Sequence, residues 1–218
     1  MTVVILPALE AIRYVFKSEP RPVMTLILVL PIIGLATFKL YQLRQRLLRL
    51  RMASDGEKVV GQFLEELRSR GHRVFHDVVG DGFNVDHVVI SDRGIFTIET
   101  KTYRKPATGK PEIRFDGQTI LLNGHPTQAD IIGQVRAQAA WSRRVLQEST
   151  GKDYPVKPVV LFPGWFIQQV GESLRSGIWV LNPKALPTFL EHEPVQLNPE
   201  DVKLAAYHLS RYIRAQYR

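Results

Sequence analysis

The stretch NVDHVVISDRGIFTIETKTY, residues 84–103, decides the fold of this chain. Two runs rich in Val, Ile, Phe and Thr flank the turn residues 91–94, a pattern typical of a β-hairpin with a short glycine-containing loop. Three charged residues interrupt these runs, Asp86 in the first and Glu99 and Lys101 in the second. Because side chains alternate faces along a strand, Glu99 and Lys101 share one face.

The length of the hairpin loop sets which charged residues face each other. A four-residue loop pairs Ile90 with Ile95 and puts Asp86 directly opposite Glu99. A two-residue loop of Arg93 and Gly94 sets Asp86 against Lys101 on the same face, and a three-residue loop sends them to opposite faces. The register of the hairpin is therefore a test of any function that needs these residues together.

Two facing carboxylates on paired strands, roughly 5 Å apart at Cβ, repel each other in a low-dielectric interior. A positive group is therefore expected between Asp86 and Glu99. A hard divalent cation such as Mg²⁺ suits carboxylate oxygens and is usually held by one or two carboxylates together with water. The alternative interpretation is a surface ion-pair cluster of Asp86, Glu99 and Lys101 on a half-exposed sheet.

The spacing D-x12-E-x-K, with Gly56 and Glu57 upstream, resembles the PD-(D/E)XK, or restriction-endonuclease-like, nuclease superfamily. More closely, it resembles the nuclease-related domain (NERD) family over about residues 54–146. The resemblance is carried by Gly56 and Glu57, by Leu64 and Leu67 before GHRVFHDV, by residues 84–103, and by a helix containing Gln134. Val85 departs from the superfamily pattern, which usually has proline before the aspartate.

The resemblance implies a metal-dependent phosphodiesterase core of αβββαβ type, an α/β fold with a restriction-endonuclease-like central mixed sheet flanked by helices. It implies that Asp86 and Glu99 are ligands of Mg²⁺ or Mn²⁺ and that Lys101 is the catalytic lysine beside the attacked phosphate. It further implies that Glu57 is an accessory acid and Gln134 a supporting polar group.

Two of these residues also have a structural interpretation. Ser54 can cap a helix that begins there, and Glu57 at the third helical position then completes a capping box. Gln134 stands on a helix predicted over residues 127–149, where a single glutamine would otherwise be exposed. Both interpretations stay open on the sequence alone.

Further strands are predicted downstream of the hairpin. Asp116 and Gly117 form a strong turn signal in EIRFDGQTILL, residues 112–122, and this second hairpin is expected to extend the sheet beside the site. VKPVVLFP, residues 156–163, and GIWVLN, residues 177–182, are predicted as buried strands. A final helix is predicted to begin at Asn198. The pattern indicates an α/β protein with at least six strands.

A single transmembrane helix is predicted near the N-terminus. Residues 22–38 contain no charged side chain, and 17 residues at 1.5 Å each cover roughly 25 Å, enough for a short span. Pro31 and Gly34 are tolerated in membrane helices, whereas Pro31 argues against a buried core helix. A cleaved signal peptide is a rival, but the segment starts late and lacks a small-residue cleavage site.

The charges beside this segment predict its orientation. Five cations follow it before Asp55, and three precede it. By the positive-inside rule the C-terminal domain faces the cytoplasm, from the cell (inner) membrane. The predicted organisation is an N-terminal segment (1–21), a transmembrane helix in the lipid bilayer (22–39), a basic amphipathic linker (40–53) and a NERD-like domain (54–218).

Composition limits the function classes. The absence of cysteine excludes disulfides and cysteine-based zinc or redox sites. The net charge of +8, from 29 basic and 21 acidic residues, favours polyanionic partners, although the cations beside the hydrophobic segment are equally explained by membrane topology. The six histidines show no metal-like clustering in the sequence.

With the resemblance, we expect a membrane-anchored, Mg²⁺-dependent nuclease that hydrolyses phosphodiesters of nucleic acid, DNA in preference to RNA. The alternative is a catalytically silent, membrane-tethered nucleic-acid-binding or scaffold protein. A third hypothesis is an interaction protein without a nucleic-acid partner, which predicts no salt-dependent DNA binding.

Overall fold

The structure, a computed structural model, describes residues 12, 14–15, 22–106 and 108–216. Within the first helix, the side chains of residues 22–26, 28, 49–55, 57 and 59 lie outside this description. The chain divides into two compact units, Met1–Leu50 and Arg51–Arg218.

Helix α1 is a continuous helix of 48 residues, Pro22–Ser69. The prediction that a helix begins at Ser54 is therefore wrong. The preceding residues 40–53 are rich in Leu and Arg, which favour the helix and override the local capping signal. Because backbone N–H groups inside a helix already bond to carbonyls one turn earlier, the capping interpretation of Glu57 has no basis.

The described part of α1 within the first unit exposes apolar side chains. Its large side chains that are more than half exposed are Ile27, Leu30, Ile32, Leu35, Phe38, Leu40, Tyr41 and Leu43. Among the described residues, no helix has a stretch that is both long and apolar enough to cross a membrane. The predicted span, residues 22–39, includes residues 22–26 and 28, whose side chains lie outside the described part, so it stays a prediction.

The fold class predicted from the sequence, a mixed α/β protein, is confirmed, with nine strands in two mixed sheets among the described residues. The main sheet has the order β1-β2-β3-β7-β9, in which β1 to β3 are antiparallel and β7 and β9 run parallel to β3. Its strands are β1 (Arg73–Val79), β2 (Asn84–Ser91), β3 (Gly94–Thr100), β7 (Val156–Leu161) and β9 (Trp179–Leu181).

The central hairpin has the register that places the two carboxylates opposite each other. Ile90 pairs with Ile95, as the four-residue loop predicts, and Ser91 also pairs with Gly94. Continuing the register by four residues sets Asp86 across from Glu99. Gly94 has a φ of 130°, a conformation that residues with a side chain rarely adopt, which explains the glycine at this turn.

The second hairpin forms where it was predicted but does not extend the main sheet, so that part of the prediction is wrong. It belongs to a smaller sheet with the order β6-β5-β4-β8. The strands of this sheet are β4 (Glu112–Phe115), β5 (Ile120–Leu122), β6 (His125–Pro126) and β8 (Phe166–Gln169). Its apolar side chains pack against the first turns of the following helix, Ile131–Thr150, and against β7 and β9.

Three further helices complete the domain: α2 (Ile131–Thr150), α3 (Leu186–His192) and α4 (Pro199–Gln216). Short 3-10 turns cover Ser173–Arg175 and Pro183–Ala185. The side chain of Asp130 caps α2 by accepting from the Gly133 N–H, and Asn198 accepts from the Asp201 N–H at the predicted start of α4.

The main sheet is covered on both faces. The last turns of α1 and helix α3 bury one face, through Val60, Leu64, Leu67, Leu186 and Leu190. Helices α2 and α4 bury the other face, through Trp141, Leu146, Ala205 and Leu209, against Val88, Ile90 and Ile95. Side-chain alternation puts Asp86, Glu99 and Lys101 on the α2 face.

Candidate active site

Glu99 is a buried carboxylate near the end of β3, and only 5% of the residue is exposed. Its Oε1 accepts from Lys101 Nζ at 2.6 Å and from Gln134 Nε2 at 2.8 Å. Its Oε2 accepts from Gln138 Nε2 at 2.7 Å. A buried carboxylate is very costly unless it is paired, so these three donors stabilise the charge. The surface ion-pair interpretation is therefore wrong for Glu99.

The side chains of Lys101, Gln134 and Glu99 each form hydrogen bonds with the other two. Lys101 follows β3 directly, and its backbone N–H donates to the carbonyl of Leu161, which keeps the chain extended beside β7. Its Nζ donates to Gln134 Oε1 at 2.9 Å as well as to Glu99. An ammonium has three N–H donors, so one remains for a further acceptor after these two bonds.

Asp86 lies on β2 at the point where the ladder with β3 ends. The last regular pair is His87 with Ile98, and beyond it Asp86 Oδ2 accepts from the Thr100 N–H at 2.7 Å. At the end of the ladder the Asp86 carboxylate, and not a main-chain carbonyl, thus accepts the hydrogen bond from the Thr100 N–H. This contact fixes Asp86 beside the strand that carries Glu99.

Gln138 belongs to the same cluster, although no role was predicted for it from the sequence. Only 1% of the residue is exposed, and its Nε2 also donates to the Asn84 carbonyl at 2.9 Å. It therefore ties Glu99 to the start of β2. Because residues four apart lie on one face of a helix, the spacing of Gln134 and Gln138 was the available sequence signal.

Helix α1 approaches the site at Gly56. A Cβ built on Gly56 would lie 1.9 Å from Thr102 Oγ1 and 3.1 Å from Thr102 Cβ, and Thr102 is the neighbour of Lys101. Glycine is therefore required for this close approach. Glu57 follows Gly56 in the helix, but its side chain lies outside the described residues, so its predicted role stays a prediction.

Gly56→Ala is expected to destabilise the protein by about 1–2 kcal/mol, since overpacking outweighs the gain in helix propensity. Rotation of the Thr102 side chain can move its Oγ1 away from the added methyl group, but it leaves Thr102 Cβ in place, 3.1 Å from that group. Gly61, on the same helix, has no atom within 4 Å of a built Cβ, so Gly61→Ala should stabilise by roughly 0.5–1 kcal/mol. Urea unfolding of the two variants measures the contrast, and two equal shifts would contradict the close approach.

The sequence model of the nuclease-related domain matches residues 53–163, about half of the chain. The chain belongs to the nuclease-related domain (NERD) family. The matched region contains all five of the residues that the resemblance singled out, Glu57, Asp86, Glu99, Lys101 and Gln134. It also contains Gly56 and Gln138.

Two further proteins are similar to parts of this NERD protein. An uncharacterized protein of Bacillus anthracis is 40% identical over 53 residues, which are 22% of this chain and 25% of that protein. The chain thus spans about a quarter of the length of this curated relative. The solved structure of Pyrococcus furiosus SfsA in complex with Ca²⁺ matches 56% of this chain and 55% of its own, with 14% identity and a TM-score of 0.29.

The NERD site offers two carboxylates to a cation. Among the described residues, no group of three or more Asp, Glu or His side chains is arranged to hold a metal ion. Asp86 and Glu99 nevertheless fit Mg²⁺ in chemistry, since this ion commonly takes one or two carboxylates and completes its shell with water. Lys101 supplies the positive charge expected at Glu99. Glu99 Oε2 accepts one hydrogen bond, from Gln138, which leaves it a lone pair for a cation.

A second polar cluster lies on the opposite face of the main sheet and was missed at the sequence level. His76 and His87 are directly paired across β1 and β2, with their Nδ1 atoms 2.8 Å apart. His76 Nε2 lies 3.0 Å from Glu65 Oε1 on α1. The two histidines are 11 residues apart, so only the strand register brings them together.

Glu65 determines the donors and acceptors in the histidine pair for the tautomers in which each ring carries one proton. An ionised carboxylate only accepts, so His76 carries its proton on Nε2 and accepts at Nδ1 from His87. His87 Nε2 then carries no proton and is an acceptor, and it is buried without a hydrogen-bond partner among the residues that the structure describes. Burial, and secondly the neighbouring His76, lower the pKa of His87 to about 4. His87 is therefore neutral at physiological pH.

Proposed function

We propose that this NERD protein is a Mg²⁺- or Mn²⁺-dependent nuclease of the PD-(D/E)XK type, which hydrolyses phosphodiester bonds in nucleic acid, DNA in preference to RNA. The observation that carries the proposal is the convergence of Glu99, Lys101 and Gln134 on one face of the sheet, beside Asp86. Membership of the nuclease-related domain family and the net charge of +8 support it.

Asp86 and Glu99 would hold the ion. When bound, Mg²⁺ supplies Lewis-acid polarisation of the scissile phosphate and lowers the pKa of water. Lys101 donates its remaining N–H to the attacking water or to a phosphate oxygen, where its charge stabilises the charge that develops in the transition state. Gln134 holds the ammonium in place and Gln138 holds the Glu99 carboxylate. Glu57 is proposed as an accessory acid.

Cleavage of a small panel of nucleic acids tests the nuclease proposal. The full 218-residue chain, purified in a mild detergent, is mixed with labelled single- and double-stranded DNA and RNA in Mg²⁺, Mn²⁺ or EDTA. We expect cleavage of DNA with either metal and none in EDTA. Salt-dependent binding without cleavage under any condition would instead support the silent nucleic-acid-binding scaffold.

We further propose that residues 22–39 anchor the protein in the lipid bilayer of the cell (inner) membrane, with the nuclease domain in the cytoplasm. Supporting this proposal are the uncharged stretch 22–38 and the excess of cations that follows it. The exposed apolar side chains of α1, among them Leu30 and Leu35, are also consistent with contact to lipid.

Membrane fractionation in a bacterial host tests the anchor. Wild type should stay in the membrane pellet after alkaline carbonate extraction, and protease should reach the nuclease domain only in inverted vesicles. Leu30→Arg with Leu35→Arg should release the protein, since each arginine costs about 2.5–3.5 kcal/mol at the centre of a span. Leu174→Arg, at an exposed position of the second unit, is the control and should stay bound. Recovery of the wild type in the soluble fraction would contradict the anchor.

A further inference from the structure

A groove lies beside the edge strand of the main sheet, away from the candidate active site. It runs between β1 and helix α4 and has a volume of about 480 Å³. Its walls are formed by Arg68, Arg73, Val74, Phe75, Lys203, Ala206, Tyr207 and Ser210. The α4 residues among them recur at helical spacing, so they form one continuous stripe along the groove.

The groove is strongly cationic. Arg68, Arg73 and Lys203 contribute three positive charges, and among the described residues no Asp or Glu lines it. Arg73 and Lys203 are exposed and make no ion pair with any described residue, whereas Arg68 pairs with Glu65 at 2.9 Å. Tyr207, which is 54% exposed, adds a flat aromatic surface. The chemistry fits a ligand with repeated negative charges.

An added peptide strand is a poor fit, although β1 is an edge strand. Arg68 Nη2 donates to the Val74 carbonyl at 2.5 Å and so occupies a main-chain acceptor of β1. A peptide that extends the sheet needs such acceptors. A phosphodiester backbone instead needs cationic side chains, which the groove offers.

The groove and the candidate active site lie at opposite ends of strands β1 to β3. Helices α2 and α4 pack on the same face of the sheet, the face that carries Glu99. Arg73 pairs with Ile90, four residues along β2 from Asp86, and β1 is two strands from β3. Along the sheet, Arg73 and Glu99 are about 16 Å apart by standard strand dimensions. Helices α2 and α4 cover the sheet between them, so a nucleic acid that contacts both sites runs over these helices and spans more than about five base pairs.

We propose that the groove between β1 and α4 is a second binding site for the phosphate backbone of the nucleic acid, more than about five base pairs from the scissile bond. This inference rests on the proposed nuclease function. The groove positions a substrate that extends beyond the active site, and it contributes affinity without sequence readout.

Binding of a labelled 20-base-pair DNA to the full chain in EDTA tests the groove separately from catalysis. Arg73→Gln with Lys203→Gln should weaken binding roughly tenfold and reduce the salt slope by about two, one for each lost phosphate contact. The control, Arg175→Gln with Lys184→Gln, removes the same charge near the opposite edge strand β9 and should bind like wild type. Melting temperatures close to wild type exclude misfolding.

Each outcome of the experiment decides between explanations. An equal loss of DNA affinity in both double variants would overturn the proposed groove site, because the loss would then reflect net charge alone. Groove variants that lose poly-glutamate binding but keep DNA binding would assign the groove to acidic polypeptides and also overturn it. If wild type cleaves DNA and the groove variants bind DNA as tightly as wild type, the groove is not a DNA-binding site and the nuclease proposal stands. Wild type that binds no DNA in EDTA overturns the groove, and cleavage of the nucleic-acid panel in Mg²⁺ or Mn²⁺ then decides the nuclease proposal separately.

Discussion

Lys101→Met is expected to reduce nuclease activity by roughly 100- to 1,000-fold, the effect of removing one transition-state donor. The same change is expected to destabilise the fold by about 3–5 kcal/mol, because it leaves the buried Glu99 charge with amide donors only. Lost activity alone would therefore not separate a catalytic lysine from a structural one. The ion pair between Lys101 and Glu99, at 2.6 Å, is what couples the two effects.

A double variant separates catalysis from stability. Glu99→Gln together with Lys101→Met removes both charges and keeps the side-chain volumes similar, so stability should recover toward wild type. Activity should stay lost, because both the proposed metal ligand and the proposed donor are gone. Urea unfolding and cleavage assays on wild type, both single variants and the double variant give the full cycle. A double variant that is both stable and active would contradict the proposed mechanism.

The second large effect is the loss of stability in acid caused by His87. Its pKa is about 4 in the folded protein, against about 6.5 in the unfolded chain. Between these values the unfolded chain binds a proton that the folded state does not. Protonation of His87 therefore does not lower the free energy of unfolding above about pH 6.5. It lowers this free energy by up to about 3 kcal/mol as the pH drops to 4.

His87→Phe should flatten this part of the stability profile, since phenylalanine does not titrate and suits a buried position. His125→Gln is the control, because His125 is exposed on β6 and should leave the acid dependence unchanged. The measurement is the free energy of unfolding in urea at pH 4.5 and pH 7 for all three proteins. If wild type and His87→Phe lose the same stability in acid, His87 is not the group responsible.

Local sequence signals predicted the core of the site. Gly94 and the apolar runs around it set the register of the hairpin, and alternation then placed Glu99 and Lys101 on one face. These features depend on residues close together in the chain. For the same reason the long helix with Gln134 was predicted within a few residues of its observed bounds, Ile131–Thr150.

The features that were missed depend on tertiary packing. The Ser54 capping signal fails because the chain before it is also helical. The hairpin around Gly117 forms as predicted, but which sheet it joins is decided by packing against α2 and β8. Gln138 meets Glu99, and His76 meets His87, only through contacts across elements. Periodicity along the chain carries no information on such contacts.

The most direct test of the nuclease proposal is Mn²⁺ binding to the full chain, followed by electron paramagnetic resonance. We expect one bound Mn²⁺ per chain in wild type. Affinity should fall at least about tenfold in Asp86→Asn and in Glu99→Gln, and should be retained in Glu148→Gln, an exposed glutamate on α2. Equal Mn²⁺ binding by all four proteins, or no binding by wild type, would contradict the proposal that Asp86 and Glu99 hold a catalytic cation.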